Sequence, residues 1–519
     1  MVTTRYGQLR TQLVSESCPN LFAPAVLRDA DSNYVPIPVS ERLVQCIWYD
    51  QRIQTNQLCT TDGRPVRVVF PGWWNLEAGP DFRHATVQVG DEPERTGDIE
   101  IHLRADDWSH HGHHHDPFYN NVILHVVLWE NRSGTSPRTR GGDIVPQIVL
   151  QHQLAAPLES LYDEIDLDAY PYGVGHHGSS CANVVAGLSE AAIGALLDDA
   201  GDERFAIKTR KFSRWIHRVG AEQAFYEGWM EALGYKANKA AFLLLAQRAP
   251  LGVLLSFLEG EAPLEPKAAA RREARPPKID RQQLASILFG VANFLPTTAP
   301  SLRSASSRQY VKRLWSRWWK MRPEFEEYIL PGTAWRMHGI RPANHPHRRL
   351  GAAVALLVKH NGLLERVTGA IESDGDPAKL FLQIRDPYWN RHFTLGGKMQ
   401  GREAELIGEA RAQEIVMNVV LPFVAAMADT GGDRSLLEKA RARYAALRVV
   451  PSNSILRLAS QQLFGTPRLS RPLFVASRRQ QGLMQIFHDF CLNDKSACHQ
   501  CQFPELVKRW AATPSPGSA

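Results

Sequence analysis

The run Gly97-Asp98-Ile99-Glu100-Ile101-His102-Leu103 constrains this chain more than any other stretch. Apolar and polar residues alternate strictly. That is the signature of a β-strand, whose successive side chains point to opposite faces. Ile99, Ile101 and Leu103 share a face that can pack on a core. Asp98, Glu100 and His102 share the other, so two carboxylates and an imidazole come within reach of one ion or water.

The flanking segments extend the strand reading. Ala78-Gly-Pro-Asp81 reads as a turn feeding a strand that runs to Gly90, with Asp81 where the strand begins. Asn121 to Trp129 is almost continuously apolar, as expected for a strand buried on both faces. Upstream, Ser40 to Tyr49 has helical spacing and Pro65 to Phe70 reads as a strand. The expected order is therefore helix, three strands, a short helix or loop, and a buried strand.

This order, with Pro80-Asp81 followed by Glu100-Ile101-His102, resembles the PD-(D/E)xK nucleases of the restriction-endonuclease-like fold. The resemblance implies a mixed-sheet domain in which Asp81 and Glu100 hold Mg²⁺ or Mn²⁺, with the Ile101 carbonyl as a further ligand. Glu41, on the first helix, resembles the additional acidic ligand of some members. The reaction implied is phosphodiester hydrolysis in DNA or RNA. It needs an activated water and stabilisation of developing charge, and one or two Mg²⁺ ions can supply both. His102 departs from the pattern, which usually has Lys there. Histidine can orient water or phosphate, but its charge is not assured at neutral pH.

The same residues fit plainer roles. Pro80-Asp81 is a common turn dipeptide, Glu100 and His102 suit a solvated strand face, and Glu41 suits the first turn of an ordinary helix. A catalytically inactive nucleic-acid-binding or scaffolding protein that keeps the fold is the competing reading, and the missing lysine favours it.

The phrases PGWWNLEAGPDF, GDIEIHLRADDW, HHGHHHDPFYNNVILHVV, LGYKANKAAF and RPANHPHRRL together resemble a bacterial domain-of-unknown-function family, number 2851. The likeness runs from about Glu41 to the C-terminal cysteines and implies no established activity.

The histidines His110, His111, His113, His114 and His115 crowd the connection after the Glu100 strand, next to Asp116. They read either as a metal site for Zn²⁺ or Mn²⁺ or, for most of the five, as a polar loop. A histidine-based metallohydrolase would require at least two of them to converge with a carboxylate. His125 interrupts the buried strand, as a satisfied core histidine or as an outer partner facing the Glu100 strand. Trp73 and Trp74 are expected either to cover the site or to pack under it, with packing favoured.

Pro, Gly and Tyr between residues 151 and 185 mark a linker, after residues 1–39 as an N-terminal extension and 40–150 as the α/β domain. From 186 to 480 the apolar residues recur at helical spacing. Helices are expected over 188–200, 201–219, 221–233, 236–248, 281–292, 305–320, 349–360, 403–428, 434–447, 453–464 and 480–491. The fold class is thus α+β followed by a large α region. A cysteine-containing hook (481–510) and a disordered tail (511–519) complete the expected organisation.

Two basic stretches lie in the helical region. Residues 266–281 read as a solvated linker or loop. Residues 308–322 interleave cations with Trp315, Trp318 and Trp319, as either an amphipathic core helix or a phosphate- and base-binding face. Arg313, Arg317, Lys320, Arg348 and Arg349 are the candidate nucleic-acid contacts. The net charge of +6 permits such a partner without demanding it. No nucleotide-binding loop of the Gly-rich Lys-Ser/Thr kind is present, so direct ATP binding is not expected. No run approaches the roughly 20 apolar residues of a membrane span, no signal peptide is visible, and a cytoplasmic protein is expected. The sequence carries no signal for oligomeric state.

Of seven cysteines, Cys491, Cys498 and Cys501 cluster near the C-terminus. Their spacing suits Zn²⁺ or a [4Fe–4S] cluster in a structural role. The fourth ligand is open among His488, His499, Cys18, Cys46, Cys59 and Cys181. Some iron–sulfur nucleases are similar, with three late cysteines and one early one.

Overall fold

The computed structural model describes residues 4–17, 39–76, 79–130, 136–167, 170, 180–256, 280–298, 305–337, 340–450, 454–464, 473–492 and 501–512. The chain divides into two compact units. One comprises Thr4–Ala200, Asn453–Leu473 and Gly482–Ala519, the other Met1–Thr3, Gly201–Ser452 and Phe474–Gln481.

The first unit is built on a mixed sheet, as the strand patterns predict. Its helices include α1 (Arg5–Ser17), α2 (Glu41–Tyr49), α3 (Asp107–His110), α4 (Leu158–Glu164) and α5 (Ser180–Ala186). Its strands are β1 (Val66–Phe70), β2 (Trp73–Trp74), β3 (Phe82–Val89), β4 (Arg95–Arg104), β5 (Val122–Trp129) and β6 (Gln147–Val149). The sheet order is β1-β3-β4-β5-β6, with β2 paired to β3. β3 pairs antiparallel with β1 and β4, and β4–β5 and β5–β6 are parallel. The parallel pairs require crossovers. The first of these carries the histidine-rich segment.

Helix α2 forms because Ser40 caps it, its hydroxyl accepting the Leu43 N–H at 3.3 Å, and because its apolar residues recur on one face. Leu43, Val44 and Ile47 join Ile99, Ile101, Leu124, Val126 and Ile148 in one buried core. Each such side chain contributes about 1.5–3 kcal/mol of burial. Trp74 is half-buried with its ring 5.1 Å from Phe82, as expected of a packing residue. Trp73 does not pack beneath the sheet. It is 66% exposed, because β2 is an edge strand whose alternate side chain faces water.

Strand β4 is buried along both faces from Gly97 to His102. The opposite face from the core carries Glu100 and His102 and lies beside a small apolar cluster of Trp108, Tyr119, Val122 and Val145. Asp98 does not join a shared ion site as its face suggested. Its Oδ1 accepts the His84 N–H at 3.1 Å, where His84 takes a positive φ of 56° and the β3–β4 register shifts.

The second unit is helical, as the spacing predicts. Its core gathers residues from Phe205 to Tyr444. The two helices expected over 188–200 and 201–219 are one, Glu190–Val219. Gly201, at the expected boundary between them, is a packing residue within the helix: a Cβ there would meet the Arg478 carbonyl oxygen at 2.3 Å. The expected 305–320 helix runs on to Phe325, and the 349–360 helix starts earlier, at Pro346, because proline suits the first helical position and His345 caps it. The apolar run Glu409–Gly431 is long enough to cross a membrane, but 67% of its most apolar stretch is buried inside the protein. Most of the basic stretch 266–281 lies outside the described residues.

One glycine is decisive for the site-bearing strand. A Cβ on Gly97 would lie 2.4 Å from Ile123 Cγ2 and 2.7 Å from the Asn121 carbonyl oxygen. Gly97→Val is expected to destabilise the protein by about 1–3 kcal/mol or more through this overpacking. Thermal unfolding of the variant against wild type measures it.

Candidate metal centre

Three elements bring the acidic residues together. The turn before β3 presents Asp81, β4 presents Glu100, and α2 contributes Gln45. Gln45 Nε2 donates to Asp81 Oδ1 at 2.7 Å, and the Ile101 N–H donates to Asp81 Oδ2 at 3.2 Å. The Asp81 N–H in turn donates to Glu100 Oε2 at 3.0 Å. Both carboxylates are buried, at 7% and 6% exposure, and these donors compensate part of the cost of burying charge. Glu41 stands in the first turn of α2.

The other oxygen of Glu100 faces histidines. Oε1 lies 3.3 Å from His113 Nε2 and 3.5 Å from His102 Nε2. His102 Nε2 also lies 3.1 Å from His111 Nδ1 and 3.2 Å from His113 Nε2. One ring nitrogen from each of His102, His111 and His113 falls within 4.8 Å of the others. His102 and His113 are buried, whereas His111 is exposed. Of the five loop histidines, His113 meets the Glu100 carboxylate directly, and His111 joins the cluster through His102. The polar-loop reading holds for the others: His110 lies 3.8 Å from Asp107, and His114 stacks on His115.

Behind His102 the sheet adds two more polar groups. Parallel pairing sets His125 of β5 opposite Glu100, and Gln147 of β6 opposite His125. His102 Nδ1 meets His125 Nε2 at 2.8 Å, and His125 Nδ1 meets Gln147 Oε1 at 3.0 Å. His125 is thus an outer partner of His102. The role expected for His102, orienting water or phosphate, changes accordingly, since both its ring nitrogens face other residues of the cluster.

Aromatic rings wall the histidines. Tyr119 stacks on His113 at 3.8 Å, and Trp108 lies 5.4 Å from His113 and 5.3 Å from His125. The Trp108 indole N–H donates to the Arg138 carbonyl at 2.9 Å. Burial pushes the Tyr119 phenol up, with Glu100 and Asp81 adding to the shift, so it stays protonated. Burial likewise pushes His113 down to about 4 and His125 to about 3, and His102 well below its ordinary value, with neighbouring imidazoles adding to the shift.

The imidazoles here suit Zn²⁺, Mn²⁺ or similar ions better than an all-oxygen Mg²⁺ site, whereas Asp81 offers oxygen alone. Gln45, Tyr119 and Gln147 carry no sequence signal of their own. The helical spacing of Gln45 and the alternation around Gln147 reveal their faces, but only the sheet register shows what they meet.

Two candidate nucleic-acid contacts are corrected. Arg348 and Arg349 are 1% and 4% exposed. Arg348 donates to the Trp389, Ala343, Ala404 and Glu405 carbonyls at 3.0–3.4 Å. Arg349 donates to the Leu406 carbonyl and to Asn344 Oδ1. Their guanidiniums tie the helix start to the following loops and do not present a cationic surface. Arg313 and Lys320 are exposed, and Arg317 pairs with Asp280 at 2.7 Å. On the same helix Trp318 is buried, while Trp315 and Trp319 are half-buried, the pattern of an amphipathic core helix.

Among the C-terminal cysteines, Cys491 lies in the His488–Leu492 turn and Cys501 just before the helix Phe503–Ala512. Cys498, Cys18 and His499 lie outside the described residues. Cys181 lies on α5, which packs against Phe503–Ala512. Cys46 is buried in the sheet core and Cys59 bridges to Pro65.

Two outcomes follow from this geometry. Arg348→Ala strands several buried carbonyls and is expected to cost about 3 kcal/mol or more, whereas Arg313→Ala and Lys320→Ala change stability by about 0.5 kcal/mol or less. Chemical denaturation of the three variants distinguishes them. The buried histidines also set a pH dependence. Free histidine titrates near 6.5 and folded His113 near 4, so between these values the unfolded chain takes up protons that the folded chain refuses. Stability is full above about pH 6.5 and falls as pH drops toward about 4, by up to about 1.4 kcal/mol per pH unit for each such histidine. Unfolding of the metal-free protein across this range shows the slope, and His113→Asn makes it shallower.

Comparison with curated proteins finds no match, and neither does comparison with solved structures. A family description, Protein of unknown function (DUF2851), matches residues 41–450. That span includes the carboxylates, the histidine cluster and most of the helical unit. The chain therefore belongs to the DUF2851 family.

Proposed function

We propose that this protein is a metal-dependent hydrolase that cleaves phosphodiester bonds in DNA or RNA. The observation that carries the reading is the meeting of Asp81, at the start of β3, and Glu100 and His102, on β4, with His111 and His113 of the crossover. The element order around them also supports it, since helix α2, strands β1, β3 and β4, short helices and the parallel strand β5 follow the order of PD-(D/E)xK nucleases, with the two-residue β2 added between β1 and β3. A divalent ion bound there would polarise a phosphoryl oxygen and lower the pKa of its bound water.

The chain's own residues set up that chemistry. Gln45 and the Ile101 N–H hold the Asp81 carboxylate in place, and the Asp81 N–H holds Glu100. Glu100 keeps Oε1 on the histidine side. Buried Trp108 and Tyr119 exclude water from one side, while the exposed His111 leaves the other open to a substrate. In the same reading, Arg313 and Lys320 are the remaining exposed candidates for phosphate contact, and the C-terminal cysteines bind a structural Zn²⁺ or [4Fe–4S] group with Cys181 as the early ligand.

The test is cleavage of single- and double-stranded DNA and RNA with Mg²⁺, Mn²⁺ or Zn²⁺. Loss of a metal's outer partners alone costs roughly 10–100-fold. Asp81→Ala and Glu100→Ala are therefore expected to lower metal-dependent cleavage by on the order of 10²-fold or more. A folded wild type that cleaves none of these substrates with any of the ions overturns the hydrolase reading in favour of a non-catalytic binding protein.

A further inference from the structure

The His102, His111 and His113 ring nitrogens fall within 4.8 Å of one another, and Glu100 Oε1 approaches two of them, those of His102 and His113, at the spacing of a coordination shell. The His102–His111, His102–His113, His113–Glu100 and His102–Glu100 separations are 3.1, 3.2, 3.3 and 3.5 Å. For Zn–N and Zn–O bonds of about 2.0–2.2 Å, a tetrahedral ligand-to-ligand edge is about 3.3–3.6 Å. Hydrogen bonds alone account poorly for this crowding. His102 Nε2 sits against two imidazole nitrogens and a carboxylate oxygen, and a neutral ring nitrogen offers either one proton or one lone pair.

The strands behind the cluster decide which of these His102 offers. The Gln147 Oε1 atom can only accept, so His125 Nδ1 carries its proton. His125 Nε2 is then the acceptor, and it receives the proton of His102 Nδ1. His102 Nε2 is left with a lone pair directed at His111, His113 and Glu100. A ligating histidine whose second nitrogen is held by an outer partner is the usual architecture of a transition-metal site. The outer pair here comes from two neighbouring parallel strands and is almost fully buried, His125 at 0% and Gln147 at 9% exposure.

We propose that His102, His111, His113 and Glu100 form a site for a borderline transition-metal ion of the Zn²⁺ type, and that His125 and Gln147 are positioning residues that set the tautomer of His102. The inference deepens the hydrolase reading by naming the class of ion and the residues that hold its ligand. The imidazole-rich donor set selects Zn²⁺ over Mg²⁺.

Binding can be tested without activity. The full-length, metal-stripped protein is titrated with Co²⁺ and followed by visible d–d absorption, then with Zn²⁺ in competition. Thiolate-to-cobalt bands in the near ultraviolet report separately on the C-terminal cysteines. Wild type is expected to develop d–d bands beyond those that accompany the thiolate bands of the C-terminal cysteines, abolished by Zn²⁺ but not by excess Mg²⁺. His111→Ala and His113→Ala, both on the connecting segment, should lose that signal, whereas His110→Ala and His115→Ala keep it. Gln147→Leu should weaken binding by roughly 10–100-fold. Gln147→Glu, which keeps an acceptor opposite His125 Nδ1, should restore most of it. An unchanged signal in a folded His111→Ala/His113→Ala double variant overturns the site, and equal affinity of Gln147→Leu and wild type overturns the positioning role. Zn²⁺ binding without cleavage of any nucleic acid would sink the hydrolase reading and leave this site standing. Cleavage with Mg²⁺ by a protein that binds no Zn²⁺ would do the reverse.

Discussion

A carboxylate at 6% exposure has to be met by donors, and Glu100 is the group around which the sheet-bearing unit resolves that demand. Its Oε2 takes the backbone N–H of Asp81, which ties the start of β3 to β4. Its Oε1 faces His113 and His102, which ties the crossover to the same strand. The second tie depends on β5 running parallel to β4, because that arrangement needs a crossover long enough to return over the polar face. The histidine-rich segment occupies that crossover. Its hydrophobic part, Trp108 and Tyr119, seals the histidines it delivers.

The polar residues of this face are divided among distinct tasks. Asp98 is spent on the β3 irregularity at His84. Asp81 is held by Gln45 and Ile101, while His102 is backed by His125 and Gln147. Side chains restrained in this way lose little further freedom when they take up a ligand, which is the physical content of preorganisation. The same logic separates the histidines of one loop. His111 and His113 point to β4, and His114 and His115 stack on each other instead.

In the helical unit, residues that look like nucleic-acid chemistry turn out to be largely structural. Trp318 fills the space left by Gly290, where a Cβ would come within 2.1 Å of the indole. Arg348 replaces missing donors for loop carbonyls that no helix or strand satisfies. Arginine and tryptophan are suited to such work because each combines a large apolar surface with directed N–H groups.

The alternation at 97–103 and the apolar run at 121–129 were enough to establish two central strands, because period two is a local property of the backbone. Helical spacing in the later two-thirds of the chain established the α region for the same reason, and its boundaries erred mainly where a glycine or proline served packing or capping. Glu100 and His102 were legible as polar groups because they alternate with apolar residues, whereas Asp81 was legible only through the motif it resembles. Which histidines of the loop join them was not legible, since five nearly adjacent imidazoles carry no distinguishing local signal. Nor was the burial of Arg348 and Arg349, or the service of Gln45, Gln147 and Tyr119. Local periodicity determined the elements and their faces. The tertiary structure alone decided who meets whom across them, because strand register and the path of a crossover depend on contacts between residues far apart in the chain.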